Sequence, residues 1–230
     1  MIERKPFNEL QHEDIGWLKT WRHLPSVDAS SHSGWGCVRA WNDEQIAPDA
    51  GFALQAHANV EIITYVREGV VTHRDSLGNE GRIEAGAVQV VSAGVGMRHA
   101  EYNLERVPAR IFQIWIAPRS LGGAPAWGIQ QCLAAECAGH FTPIASGLDG
   151  DHDALPIRAR ARVLNARLRS GESIEHALGG PRLAYLVPSS GAVAVDNVRI
   201  NTGDGAAIRD IDTVTVVALE DADVIMIDII

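Results

Sequence analysis

Short apolar runs separated by glycine-centred turns recur along this chain. "EIITYVREGVVTHRDS" (61–76), "AVQVVSAG" (87–94), "ARIFQIWIAP" (109–118) and "GWGCVRAWND" (34–43) concentrate β-branched and aromatic residues, the side chains that suit a pleated, half-buried surface. "SLGNEG" (76–81) and "EAGA" (84–87) lie between them and carry turn chemistry. "HRDSLGNEG" therefore reads as a hairpin tip, with His73 exposed in it. Many short strands at turn-separated spacing predict an all-β sandwich or barrel. The rhythm breaks over 118–157, where Gly, Pro and Ala dominate and a short helix about Ile129–Cys137 is expected. It resumes in "ARVLNARLRSGESIEH" (161–176), "RLAYLVPSSGAVAVDNVRI" (182–200), "GDGAAIRD" (203–210) and "TVTVVALEDADVIMIDI" (213–229). The expected organisation is an N-terminal β module over 1–120, a connector over 121–150 and a C-terminal β module over 151–230. The second module repeats the grammar of the first, as an internal duplication would.

Composition narrows the partners. With 20 basic and 29 acidic residues the net charge is -9, which opposes direct binding to nucleic acid or to an anionic membrane. No apolar run reaches the roughly 18–20 residues of a membrane-spanning helix, and the polar start "MIERKPFNELQHEDIGW" lacks the apolar stretch of a signal peptide. Cys37, Cys132 and Cys137 are odd in number and read as reduced thiols, so the expected location is the cytoplasm. Arg158, Arg160 and Arg162 alternate as strand residues do. Without interleaved aromatic residues to stack on bases, they read as the solvated face of an exposed or edge strand.

Candidate chemistry lies in two stretches. In "GFALQAHANVEIITY" (51–65) Gln55 and His57 are two apart, with Glu61 in the same parity; in "GAVQVVSAGVGMRHAEYN" (86–103) His99 and Glu101 are again two apart. Residues two apart on a strand share a face, so two such pairs can enclose one cation inside a small barrel. Glu61 reads as a residue that orients a ligand histidine or supports the fold. In the second module His176 is the one histidine near the corresponding place and "GDGAAIRD" has none, so no metal is expected there.

These stretches resemble the two cupin motifs, with Gln55 in the first histidine place, then His57, Glu61 and Gly69, and later Gly86, "SAG" (92–94), His99 and Asn103. Ser92 stands where proline is usual. "RAWNDEQIAPDAGF" (39–52), "EIITYVREGVVTHRDSLGNEG" (61–81) and "VSAGVGMRHAEYN" (91–103) further resemble the pirin family of bicupins; the second half is similar, more loosely, to its bacterial quercetinase-like branch. The resemblance implies two tandem cupin barrels, jelly-roll in type, and one metal in the first, held by Gln55, His57, His99 and Glu101. The family's usual "HPHRD" reads here "QAHAN" (55–59), so a ligand imidazole has become an amide, a weak donor for such ions. His57, His99 and Glu101 still form the two-histidine, one-carboxylate set of many non-haem iron(II) oxygenases.

Three functions follow as expectations. The first is a metal-dependent dioxygenase of flavonols or similar hydroxylated aromatics, with Glu101 as the base. Its cofactor is one divalent transition metal: iron(II) first, with nickel, copper, manganese or zinc as alternatives. The second is a non-catalytic regulatory module that senses a small molecule or metal and meets a protein partner, as some animal family members do. The third is a metal-free bicupin in which Gln55 has abolished the site.

Overall fold

The computed structural model describes residues 1–24, 35–132, 137–180 and 182–230. The strands are β1 (Ile2–Lys5), β2 (Gln11–Asp14), β3 (Leu18–Leu24), β4 (Val38–Ile46), β5 (Ala50–His57), β6 (Glu61–Glu68), β7 (Val70–Asp75), β8 (Glu80–Glu84), β9 (Ala87–Ser92), β10 (Met97–Asn103) and β11 (Ala109–Ile116). They continue with β12 (Ala126–Gln131), β13 (Thr142–Ser146), β14 (Leu155–Pro156), β15 (Ala161–Leu168), β16 (Ser173–Ala177), β17 (Leu183–Ser190), β18 (Val193–Val195), β19 (Val198–Ile200), β20 (Gly205–Arg209), β21 (Thr213–Ala218) and β22 (Ala222–Ile229). Among the described residues there is no α-helix. The helix expected about Ile129–Cys137 is corrected: Ile129–Gln131 ends strand β12, antiparallel to β9, and 133–136 lie outside the described residues. Trp127 and Ile129 pack against the clusters below that strand, and this burial selects the extended form.

The chain divides into two compact units, one of Gln11–Gln131 with Leu155–Ala159, the other of Met1–Leu10, Cys132–Ala154 and Arg160–Ile230. Met1–Leu10 joins the second unit because β1 pairs with β20, Ile2 opposite Ile208, and covers what would otherwise be an open sheet edge.

The first unit pairs a seven-stranded sheet, order β12-β9-β6-β11-β4-β3-β2, with a four-stranded sheet, order β5-β10-β7-β8. One end of its interior is an apolar plug of Ile46, Val66, Val71, Ile83, Ala87, Ala109 and Ile111, with Phe52 against it. One step along, Gln89, Thr64, Gln113 and Asn42 lie side by side on four adjacent strands. The next step is Val91, Ile62, Trp115 and Ala40. The interior is thus layered as apolar, polar, then apolar with an indole.

The second unit carries the order β1-β20-β17-β22-β15-β13 and a four-stranded sheet, β16-β21-β18-β19, around a core that includes Leu164, Leu186, Val193, Val216 and Met226. The arginine run is corrected here. β15 lies between β13 and β22, so it is not an edge. Arg158 and Arg160 precede it, and Arg162 is fixed on Asp151 at 2.7 Å. His176 is bound up with Asp228, Nε2 to Oδ2 at 3.2 Å, with Arg182 at 3.7 Å from the same carboxylate.

Candidate metal centre

Strand β10 is the spine of the site. Against β5 it pairs Met97 with His57 and His99 with Gln55, then slips, pairing Glu101 with Phe52. Three residues of β5 span what two residues of β10 span, so β5 carries a bulge at Ala53–Leu54. Phe52 can then face the apolar plug while His57, of opposite parity, also lies on the inner side. A bulge of this kind re-aims side chains beside functional sites. Gly51 permits the approach, since a Cβ there would meet the Glu101 carbonyl oxygen at 2.2 Å. Against β7, His99 is opposite Asp75 and Glu101 opposite His73.

His57 and His99 come together as expected. Their rings stack with centroids 4.8 Å apart, and the edge of Trp115 meets His57 at 5.2 Å. Trp115 is itself held by its Nε1, which donates to Gln113 Oε1 at 2.8 Å. His99 is 4% exposed. Burial first, then the neighbouring His57 and His73, pushes its pKa down to about 3; burial also lowers His57. Both rings are therefore neutral at pH 7. Buried His57 Nε2 and His99 Nδ1 have no hydrogen-bond partner.

His73 was expected at an exposed tip, and this is corrected. It is 0% exposed, in strand β7 before the turn. It stacks on Trp127 at 4.7 Å and lies 5.5 Å from His99. Its Nε2 is 3.3 Å from Asp75 Oδ2, and its buried Nδ1 is unpartnered. Burial lowers the His73 pKa, with Asp75 opposing. Burial would raise Asp75, but bonds from Asn79, His73 and Leu77 hold it below its ordinary range. The third imidazole thus comes from the hairpin strand. The alternation Val71, His73, Asp75 contained the signal, but turn composition outweighed it.

Glu101 is wholly enclosed. Oε1 accepts from Thr64 Oγ1 at 3.1 Å and from Gln89 Nε2, and Oε2 accepts from Gln113 Nε2 at 2.9 Å. Burial pushes its pKa up to about 7 despite these three donors, so desolvation outweighs hydrogen bonding here. A second buried carboxyl, Glu44, is raised to about 8, first by burial, while an Asn42 bond opposes and Glu101 adds to the rise. Gln55 is exposed, so of the expected inward pair only His57 is turned in, and it is half-buried. Glu61 orients no histidine: its Oε2 accepts from Ser92 Oγ and from the Arg158 backbone N–H. The serine in the usual proline place is thus its partner.

The donor chemistry fits a borderline transition metal. A buried imidazole nitrogen without a partner costs about 1–3 kcal/mol, and a neutral imidazole offers the lone pair such ions take. His57 and His99 meet both conditions. As the side chains stand, no three His, Cys, Asp or Glu among the described residues share one cation position. Glu101 would have to exchange hydrogen bonds for the cation. A cavity of about 590 Å³ opens at His57, lined also by Arg39, Ala58, Asn59, Trp115 and Leu121, within the range of small-molecule sites. Asn59 shapes its edge: at φ 54°, its Oδ1 accepts from the Gly122 N–H at 2.7 Å.

Comparison with known proteins agrees with this architecture. The Pirin family model matches residues 7–116, and the model described as the quercetinase C-terminal cupin domain matches 144–229. A pirin-like protein of Caulobacter vibrioides is 52% identical over 230 residues, covering 99% of both chains. The quercetin 2,3-dioxygenase of Escherichia coli K12 is 30% identical, covering 100% of this chain and 99% of that one. The crystal structure of the bacterial pirin YhhW from Escherichia coli in complex with nickel(II) superposes with a TM-score of 0.90 at 29% identity, covering 100% of this chain and 99% of that chain. With two cupin domains, a histidine pair on β5 and β10 and relatives of the same length, the chain belongs to the pirin family of bicupins.

Proposed function

We propose that this pirin is a metal-dependent oxygenase of the quercetin dioxygenase type, acting on hydroxylated aromatics. The observation that carries this reading is the pair of unpartnered, neutral imidazoles of His57 and His99 beside a cavity walled by Trp115. His57, His99 and Glu101 would hold the ion, with Gln55 at the fourth place. Iron(II) suits two imidazoles and one carboxylate, and the nickel complex of the YhhW relative makes nickel(II) the second ion to test. When bound, the ion supplies a Lewis acid for the substrate's oxygen and a route to dioxygen.

The protein's own part is to bind and exclude water. Trp115 forms a wall for a planar ring, locked by Gln113. Gln113 also donates to Glu101, so wall and carboxyl share one support. Glu101 takes the substrate's hydroxyl proton at a carboxylate oxygen released from its present donors Thr64 and Gln113.

The test is elemental analysis of protein purified without a histidine tag, followed by oxygen uptake with quercetin after loading with iron, nickel, copper or manganese. Stoichiometric metal and turnover are expected; a loaded protein silent with every metal sinks the catalytic reading. The three hydrogen bonds that fill Glu101 favour a second reading, a binding protein without turnover, in which a protein partner is captured and oxygen is not consumed. Gln55→His adds an imidazole directly across from His99 and is expected to tighten metal binding about tenfold or more. Wild-type protein with no measurable affinity, gaining it only in this variant, would mark the present site as a relic.

A further inference from the structure

We infer that His73 is a third imidazole ligand of this metal centre and takes the place that Gln55 leaves, an assignment that rests on the metal-binding reading above and not on turnover. Strand β10 lies between β5 and β7. His73 of β7 is directly opposite Glu101 of β10, so the two side chains share one face of the sheet. His99, two residues from Glu101, shares that face too. The rings show the result. His99 meets His57 from β5 with centroids 4.8 Å apart and His73 from β7 with centroids 5.5 Å apart. Three buried ring nitrogens of this one cluster, His57 Nε2, His73 Nδ1 and His99 Nδ1, have no hydrogen-bond partner.

The two nitrogens of His73 distinguish it from a histidine that only supports the fold. Nε2 is 3.3 Å from Asp75 Oδ2. The Asp75 carboxyl also accepts from the Asn79 side chain and from the backbone N–H groups of Leu77 and Asn79. A carboxyl that meets only donors is an ionised acceptor, so Nε2 carries the ring proton and Nδ1 the lone pair. A carboxylate on one ring nitrogen and an open lone pair on the other is how metal-binding histidines are set. A structural histidine would instead spend both nitrogens on hydrogen bonds. Trp127 stacks on the ring at 4.7 Å and is itself tied by its Nε1 to Gln89 Oε1 at 2.9 Å, so the ring is held in place. Gln55, by contrast, is exposed and offers a neutral amide. As the side chains stand, the donors do not meet at one point, so the test reads the nitrogens bound in the loaded protein.

The experiment loads the full chain, metal-free and without a histidine tag, with copper(II). Ligand splitting in the electron paramagnetic resonance spectrum counts the bound nitrogens, and competition with a chelator gives the affinity. Three nitrogens are expected in the wild type and two in His73→Gln, with affinity lowered more than about tenfold. The same substitution is expected to cost less in a Gln55→His background, where a restored imidazole competes for the place. Two nitrogens in wild-type protein, a count that needs no variant, overturn the inference. So does folded His73→Gln with count and affinity unchanged, and so does a wild type that takes up no copper. Quercetin turnover with two bound nitrogens removes this inference alone. Three bound nitrogens without oxygen uptake under any metal remove the oxygenase reading and leave this one standing.

Discussion

Replacement of His99 by alanine is expected to cost the protein its metal: affinity falls by more than about a hundredfold, beyond the usual loss for residues that only orient a ligand. His99 lies at the centre of the site. It faces Gln55 across one strand pair and Asp75 across the other, and its ring touches both His57 and His73. Metal loading should raise the thermal midpoint of the wild type by mass action on the native state and leave that of His99→Ala unmoved. The comparison of loaded and metal-free forms separates this from simple destabilisation. Removing the ring opens a cavity, which costs stability, but it also removes a buried nitrogen that has no partner, which recovers some. A His99→Ala protein that is folded and still metal-loaded would show that the ion sits elsewhere.

The second large effect concerns stability and pH. Glu44 is buried with its pKa raised to about 8, from an ordinary 4.5, chiefly by desolvation. The folded state therefore holds this proton more tightly than the unfolded chain. The sign follows from linkage: Glu44 costs nothing below about pH 4.5, and stability drains away as pH rises from there through about 8. Glu101, raised to about 7, acts in the same direction over a narrower window. Glu44→Gln keeps the shape and an oxygen for the Asn42 Nδ2 donor, 3.1 Å away in the wild type, and removes the ionisation. It should stabilise metal-free protein at pH 8 by on the order of 3 kcal/mol and change little at pH 5. Denaturant midpoints at the two pH values check this; equal shifts at both would mean that Glu44 does not titrate in that window.

Much of the architecture is legible from residue order. The strands carry alternating apolar runs, and the hairpin β7–β8 sits where "SLGNEG" supplies its turn. The two stretches that hold His57, His99 and Glu101 are neighbours in the sheet. The polar layer was also within reach. Thr64 in "EIITYV", Gln89 in "AVQVVS" and Gln113 in "RIFQIWI" are each a lone polar residue in an apolar strand. Buried polar groups need partners, and three such residues imply a shared one, which proves to be Glu101.

What the chain by itself determines is which residues form strands and which strands carry donor side chains, because period-two patterning and turn chemistry are local. Tertiary structure alone decides which face each donor meets. The bulge in β5 lets Phe52 and His57 share the inner side, and a bulge at Arg39 breaks the alternation of β4 opposite Trp115 and Ile116. Both phase slips exist only relative to a partner strand. The same holds for protonation. His73 looks solvated in sequence and no pattern there marks Glu44, and only the sheets packed over them make one a buried neutral imidazole and the other a carboxyl that resists ionisation. Burial is a property of the whole barrel and of no segment within it.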